Sequence, residues 1–302
     1  MANEIQYSGI GDLRATHILN RQIDELLHDP TDLRAVMTEV PWHGGASAAT
    51  KVAQMDLDIA MSAPGQVTQV NNSALTDSSY TLTPAHYAVQ YEVGYLAQAT
   101  SNGMGELDIL AQAIVQRTGL TMTDLACALF PSVTAAVSDT GIDMTIDHFF
   151  DAMFTLNAAV VPGPYYCVLH QTQINDLISS MRGESGSFQF RQDVAGMLDL
   201  KGPGFKGSLL DVNVWQSDSV NTVNAAADRS GCMFGAGAFK YQEAPVQAIL
   251  GHIPSEAYIA GGKVFAQFDQ ISDHGKTRLN GHYFPAAAIA ENARAVEIIT
   301  DA

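Results

Sequence analysis

No run of lysine or arginine occurs anywhere in this 302-residue sequence, and its 15 basic residues are outnumbered by 32 acidic ones. A net charge of −17 without a basic stretch disfavours tight, sequence-independent binding to phosphates. Cysteine is scarce too. Cys127, Cys167 and Cys232 are odd in number and far apart, which fits reduced core thiols in a cytosolic setting better than a disulfide framework. No apolar run is long enough to span a bilayer, and residues 1–13 lack the positive-then-apolar pattern of a signal peptide. Synthesis and retention in cytoplasm, or in something assembled there, is the expectation. Charge of either sign is sparse, at 16% of residues, which is low for a soluble monomer. Small and polar uncharged residues take up much of what would be charged surface. Such a surface suits coverage by neighbouring subunits; an uncharged monomeric surface is the alternative.

What is present is a core-forming chain. The hydrophobic fraction of 47% fits a globular protein, and the length allows one large domain or two smaller ones. The rest is organised around residues 81–130. Tyr87, Val89, Tyr91, Val93 and Tyr95 share one face of a strand, with Ala88, Gln90, Glu92 and Gly94 on the other. A period of two, rich in aromatic and β-branched residues, predicts burial of the first face. Pro84 cannot donate to a ladder, so the strand should start at a sheet edge. After Ser101-Asn102-Gly103 the period becomes helical. Leu107, Leu110, Ile114, Thr118, Met122, Leu125 and Leu129 form one stripe, while Gln112, Gln116, Thr123 and Asp124 are expected to face away. Glu106 and Asp108 suit the dipole of the first turns. The prediction is a helix of about 27 residues and ~40 Å, with Gly119 as a point where it can bend.

Upstream, Leu13, His17, Ile18, Ile23, Leu26 and Leu27 form an amphipathic helical stripe over 13–28. Asp29-Pro30 stops it, and a short turn over 31–37 follows. Over 40–79 the chain is polar and small. Weak alternation over 51–61, a turn signal at Pro64-Gly65 and a return over 66–73 read as a two-stranded ribbon, which would rest on another chain. A polar disordered loop carries comparable weight. Downstream, 131–141 reads as a linker and domain boundary. Residues 145–160 form an apolar helix, 165–169 a buried strand, and Ile174, Leu177, Ile178 and Met181 a helix capped by Thr172, together an α/β unit. Strands are expected at 209–215, 232–239, 246–249, 264–268 and 277–283. The segment 285–292 and an alternating run over 295–300 close the chain.

No stretch assembles a catalytic site, a cofactor cradle or a metal cage. Gly202, Gly204 and Gly207 match G-x-G-x-x-G, but Pro203 occupies the turn and a strand follows, so no helix N-terminus awaits a pyrophosphate. Gly261-Gly262-Lys263 lacks the upstream glycine and the following Ser or Thr of a P-loop. Cys167 and His170 lie near each other in sequence, yet a thiol on a buried apolar strand reads as inert core. The nine histidines show no ligand spacing. Asp56 and Asp58 share a ribbon face with nothing nearby to complete a cation site. Asp143 and Asp147 read as a cap and a solvated helix face.

The order of elements resembles the major capsid protein of tailed phages, the Hong Kong 97-like fold. Three patches carry the resemblance. Tyr80-Thr-Leu-Thr-Pro84 through Leu96-Ala-Gln-Ala-Thr-Ser101 looks like the peripheral-domain strand leading into the spine helix. Val168-Leu-His-Gln-Thr-Gln173 with Leu177 looks like the strand-to-helix turn of the axial domain. Gly207-Ser-Leu-Leu-Asp-Val-Asn-Val214-Trp-Gln-Ser-Asp218 is similar to the G-x-x-V-x-x-S-D strand that follows. The resemblance covers nearly the whole chain and implies an α+β fold with peripheral domain, long spine helix, axial domain and extended loop. By it, residues 1–39 are an N-terminal arm and 40–79 the extended loop lying across a neighbouring subunit. Residues 80–130 are then the peripheral domain with the spine helix, 131–283 the axial domain, and 284–302 a C-terminal return to the peripheral domain.

The function so implied is that of a structural coat protein. It would self-assemble into the icosahedral head of a tailed bacteriophage around double-stranded DNA, residing in the virion after assembly in the host cytoplasm. The implied partners are further copies in hexamers and pentamers, a portal, decoration proteins, and packaged DNA without sequence-specific contacts; no membrane is implied. A separate scaffolding protein is also implied, because the chain lacks a long charged N-terminal helical segment that could serve as a fused scaffold. The chain is expected not to be an enzyme; no catalytic, cofactor-binding or metal residue is assigned, and no cofactor. Lys51 lies in the extended loop, but no site residues support the Lys–Asn cross-link of some family members, so none is expected. An encapsulin-like compartment shell and an α/β enzyme with an unrecognised site are the alternative readings.

Overall fold

Where the hydrophobic period switches from two to three-and-a-half, the chain turns from sheet to helix. A computed structural model describes residues 4–5, 32–42, 49–55, 77–96, 104–183, 204–245, 257–260, 263–271 and 274–301. In chain order it contains β1 (Glu4–Ile5), β2 (Thr38–Glu39), β3 (Thr50–Met55), β4 (Asp77–Leu82), β5 (Tyr87–Gly94) and the long helix α1 (Met104–Leu129). Next come β6 (Ala135–Ser138), α2 (Ile146–Ala158), β7 (Tyr165–Leu169), α3 (Gln171–Gly183), β8 (Phe205–Leu209), β9 (Val212–Gln216), β10 (Thr222–Val223) and β11 (Asp228–Gly235). The chain closes with β12 (Phe239–Glu243), β13 (Ala257–Ala260), β14 (Val264–Ile271), β15 (Lys276–Tyr283), β16 (Pro285–Ile289) and β17 (Ala295–Asp301).

Helix α1 runs 26 residues, about 40 Å, without a break at Gly119. Of the expected stripe, Ile114, Thr118 and Met122 are buried and Leu125 and Leu129 half-buried; Ala126, outside that stripe, is buried too, and Gln116 and Asp124 are exposed. Thr123 departs from the pattern. It is fully buried, because the segment from Asp32 to Met37 crosses the helix on that side. Gly119 serves that crossing: a Cβ there would sit 3.3 Å from Asp32 Oδ2 and 3.4 Å from Arg34 Nη2. The glycine is a close-approach site in a continuous helix.

Beneath α1 lies a five-stranded sheet of order β1-β5-β15-β14-β13. Alternate residues of β15, Thr277, Leu279, Gly281 and Tyr283, are buried. Helix and sheet meet closely enough that a Cβ on Gly281 would lie 2.6 Å from Ile114 Cγ2, so only glycine fits. On β5, Val93 is buried and Val89 and Tyr91 are half-buried, whereas Tyr87 stays 39% exposed. Glu92, expected on the open face, is also buried, because Arg278 and Lys276 of the neighbouring strand close over it at 2.7 and 3.6 Å. Pro84 lies in the connection between β4 and β5 rather than inside either strand.

A second sheet, of order β6-β17-β11-β7-β9-β8 with β10 on the flank of β11, is covered on both sides. Phe149, Leu156, Ile174 and Leu177 of α2 and α3 pack with Cys167, Leu169, Val214, Met233 and Ile298 in one core. On the other face the end of α1, with Cys127 and Phe130, packs on Val168, Trp215, Phe234 and Phe239. A three-stranded sheet, β16-β12-β2, and the antiparallel ribbon β3-β4 complete the pairing.

Several sequence expectations change here. The presumed linker 131–141 contains β6, which pairs in parallel with β17 from Val296↔Ala135 to Ile299↔Ser138. The presumed single strand 209–215 is the hairpin β8–β9. Its turn residues Leu210 and Asp211 both have positive φ, 49° and 65°, the mirror-turn geometry that suits a two-residue hairpin. The α3 cap is His170 rather than Thr172: its Nδ1 accepts from Thr172 N–H at 3.3 Å, and its N–H donates to Gln173 Oε1 at 3.1 Å. The ribbon's return limb within the described residues is β4, paired Lys51↔Thr81 and Met55↔Asp77. The expected elements at 13–28, 66–73 and 246–249 lie outside the described residues.

Strand pairing also groups the segments differently from the expected division. Strand β17, expected to return with 284–302 to the body of 80–130, instead pairs with β11 and β6 of the seven-stranded sheet. Strands β14 and β15, expected within the unit 131–283, join β5. Alternation fixes which residues of a strand face a core, not which sheet receives it.

Candidate functional site

The residues that raised catalytic readings are dispersed. Phe205 begins β8, so the glycine motif leads into a strand, and Gly202 and Pro203 lie outside the described residues. Cys167 is fully buried in the core beneath α2 and α3, and burial pushes its thiol far above the ordinary range. His170 is committed to capping α3. All three cysteines are buried and none is in a disulfide. Asp56 and Asp58 lie outside the described residues. Asp147 is exposed in the first turn of α2. The α2 cap itself is the Thr145–His148 pair, with Thr145 N–H donating to His148 Nδ1 at 3.1 Å and Asp139 holding His148 Nε2 at 2.7 Å, so Asp143 is not the cap. Among the described residues no group of three or more His, Cys, Asp or Glu could hold a metal ion. None of their helices is long and apolar enough to cross a membrane.

What the described residues do assemble is a groove, a projecting two-stranded ribbon and two charge clusters. A groove of about 530 Å³ opens between α1 and the β5–β15 pair, with Val89, Ile114, Leu125 and Gly281 as apolar lining and Arg117 and Asp124 of the helix beside them. Among the described residues the ribbon β3–β4 has no third strand, so both of its edges present backbone hydrogen-bonding groups there. Lys51 is exposed on it. On α2, Phe154 is 57% exposed and stacks on Phe150 with ring centroids 6.0 Å apart.

The first charge cluster is the Glu92 carboxylate with Arg278 and Lys276. Bonding from Arg278 outweighs burial and holds Glu92 below the usual carboxylate range. The second is built on Glu243, only 5% exposed at the end of β12. Its Oε1 accepts from Arg34 Nη1 at 2.9 Å and from Tyr283 OH at 2.5 Å, and its Oε2 meets Lys263 Nζ at 2.6 Å. Burial alone would raise the Glu243 carboxyl; the Lys263 and Tyr283 bonds and the Arg34 charge outweigh it and hold it low. Sequence reading missed this cluster. Its signal was slight: a lone acidic residue closing an alternating strand, in a chain with few cations to meet it.

Among the described residues neither cluster brings a nucleophile, a paired base and an oxyanion donor together; each ties separate segments of the chain to one another. No family model matches the sequence, and no curated protein is similar to it at the sequence level. Solved structures do match. The chain is similar to the capsid protein of cyanophage P-SCSP1u, with TM-score 0.62 and 11% identity over 90% of this chain and 88% of that one. The fold is that of a phage capsid subunit. The head of Helicobacter pylori bacteriophage KHP40 gives TM-score 0.63 and 10% identity over 90% of each chain. The SrpI encapsulin of Synechococcus elongatus gives 0.60 and 11%, over 89% of this chain and 86% of that one. At these identities the likeness is one of fold, shared by phage capsids and an encapsulin shell.

Proposed function

We propose that this chain is a structural major capsid protein without catalytic activity. In this reading it self-assembles into the icosahedral head of a tailed bacteriophage and encloses double-stranded DNA. The observation that carries the proposal is the whole-length likeness, covering 90% of this chain, to phage capsid and head structures. The sparse charge of the sequence and, among the described residues, the unpaired edges of the ribbon support it, because both suit burial between subunits.

In this reading α1 is the spine helix, and 40–79 is the extended loop resting on a neighbour, with β3 and β4 as its base. The peripheral region comprises 80–130 with the strands of 257–283, following the pairing of β5 with β15. The axial region comprises 131–245 with 295–301, following the pairing of β17. Residues 1–39 are the arm. The partners are copies of itself in hexamers and pentamers, a separate scaffolding protein, a portal and decoration proteins, with DNA held without sequence-specific contacts. The protein then resides in the virion after assembly in the host cytoplasm. A net charge of −17 supports weak adhesion to the packaged duplex.

The likeness to the SrpI encapsulin favours a second reading, a compartment shell around a protein cargo. Sedimentation of the chain co-expressed with the products of its neighbouring genes tests both. A fast-sedimenting particle that contains nucleic acid, or fills with it in the presence of a terminase and portal, supports the phage head. A particle that carries a co-encoded enzyme supports the compartment. A slow, monomeric species under every condition would overturn both.

A further inference from the structure

Residues 32–42 cross the molecule as a strap. Leu33, Val36 and Met37 are buried in the core beside α1, β2 adds in parallel to β12, and Val40 N–H donates to Tyr241 C=O at 2.8 Å. Seven residues beyond the strap, at Ala49, the described chain resumes and enters the first limb of the ribbon. The strap is therefore the ribbon's root on that side. The second limb is rooted on the same platform, with Leu82 fully buried and Ala85 N–H donating to Pro285 C=O at 3.0 Å, where β16 begins.

One carboxylate ties the strap to the rest. Glu243 receives Arg34 from the strap, Tyr283 from β15 and Lys263 from the start of β14, and Lys263 reaches back to Glu39 on the strap at 2.7 Å. Asp32 binds Arg34 through both carboxylate oxygens. The titratable and charged groups around Glu243 are thus Asp32, Arg34 and Glu39 on the strap, Lys263 and Tyr283 on the five-stranded sheet, and Tyr241 on its own strand.

We propose that Glu243 is an acid-releasable latch holding the strap, and with it the ribbon's root, on the three-stranded sheet. The cluster's wiring explains why release would be local. Without the Glu243 charge, Arg34 keeps Asp32, which sits on the strap itself, so that pair no longer bridges anything. The ion pair that then remains in the cluster, Lys263–Glu39, has side chains 36% and 49% exposed and is weak for that reason, which leaves the strap to its backbone pairing and apolar contacts. The core beneath α2 and α3 contains no strap residue and is retained. The inference concerns the subunit alone and holds whichever shell the chain builds.

The direction in pH follows from the groups themselves. The folded Glu243 carboxyl is held low, so its contribution is present above the ordinary glutamate value of about 4.3 and is lost as pH falls through the folded value. Burial lowers Lys263, but its bonds to Glu243 and Glu39 outweigh this and raise it; burial and the Glu243 bond raise Tyr283. Their contributions are lost only on the alkaline side, so the latch stays closed at neutral pH.

Hydrogen exchange, corrected for the intrinsic pH dependence, tests this on the full chain. In Glu243→Gln at pH 7, amides at 37–40 should lose protection by about tenfold or more, while those of β7 at 165–169 keep theirs. The wild-type protein should show the same selective loss on acidification below about pH 4.3. Strap protection in Glu243→Gln equal to wild type would overturn the proposal. So would loss of strap and β7 together in the variant. Should the variant not fold, the wild-type titration decides alone: strap before β7 supports the latch, and both at one pH refutes it.

Discussion

Thr123 Oγ1 on the long helix accepts a hydrogen bond from the backbone N–H of Leu33, 3.3 Å away and 90 residues earlier in the chain. The same hydroxyl donates to the Gly119 carbonyl at 3.1 Å, so a single side chain satisfies a buried donor of the strap while staying within its own helix. Replacing Thr123 by Val keeps the shape and leaves the Leu33 N–H without this acceptor. The expected cost is about 1–3 kcal/mol in the denaturation midpoint. Gln116→Ala, on the exposed face of the same helix, should change stability by less than about 0.5 kcal/mol.

Gly119 sets two effects against each other. Alanine would gain about 1 kcal/mol of helix propensity. Its Cβ, however, would press on the Asp32–Arg34 ion pair at 3.3 and 3.4 Å. Gly119→Ala alone is therefore expected to be near neutral, within about 0.5 kcal/mol, and to recover most of the propensity gain in an Asp32→Ser background. Equilibrium denaturation of the two single variants and the double variant checks this. A full gain of about 1 kcal/mol in the wild-type background would mean the strap yields freely.

The long helix was legible because its stripe spans about six turns. The strand Tyr165–Leu169 was legible because turn-forming prolines precede it and a helical stripe follows. What was not legible had physical causes. The hairpin turn at Leu210-Asp211 carries no glycine to advertise its positive φ. Thr123 looks outward-facing by spacing, and only the strap crossing buries it. β6 is four residues long, too short to register a period. The Glu243 cluster joins Arg34 and Glu243, 209 positions apart, and nothing local marks either partner.

Another buried carboxyl, Glu297, shifts in the opposite direction to Glu243. Glu297 on β17 is 5% exposed, and Ser230 Oγ donates to its Oε1 at 2.5 Å. Burial raises the carboxyl more than this hydrogen bond lowers it. A folded value above the unfolded one means that its stabilising share is fully present below about pH 4.3 and is lost as pH rises through the folded value. Glu297→Gln should therefore raise the denaturation midpoint at pH 7–9 and leave it unchanged at about pH 4. A lowered midpoint at pH 8 would show that the charged form is stabilised by the fold.

Val52 and Tyr80 are register partners in the ribbon, so joining them through two glycines removes residues 53–79 without straining the base. The shortened subunit should keep a cooperative unfolding transition, because both described cores lie outside the deletion. Particle formation should be lost. Shells that form normally would contradict the role assigned to the ribbon, and an unfolded product would place part of the core there.

Negative-stain electron microscopy of the purified chain, alone and with co-expressed scaffold and portal, addresses the central claim most directly. Closed, uniform icosahedral shells built from hexamers and pentamers are the expected result. Dispersed single subunits in every preparation would contradict it, and would leave the capsid fold serving some other end.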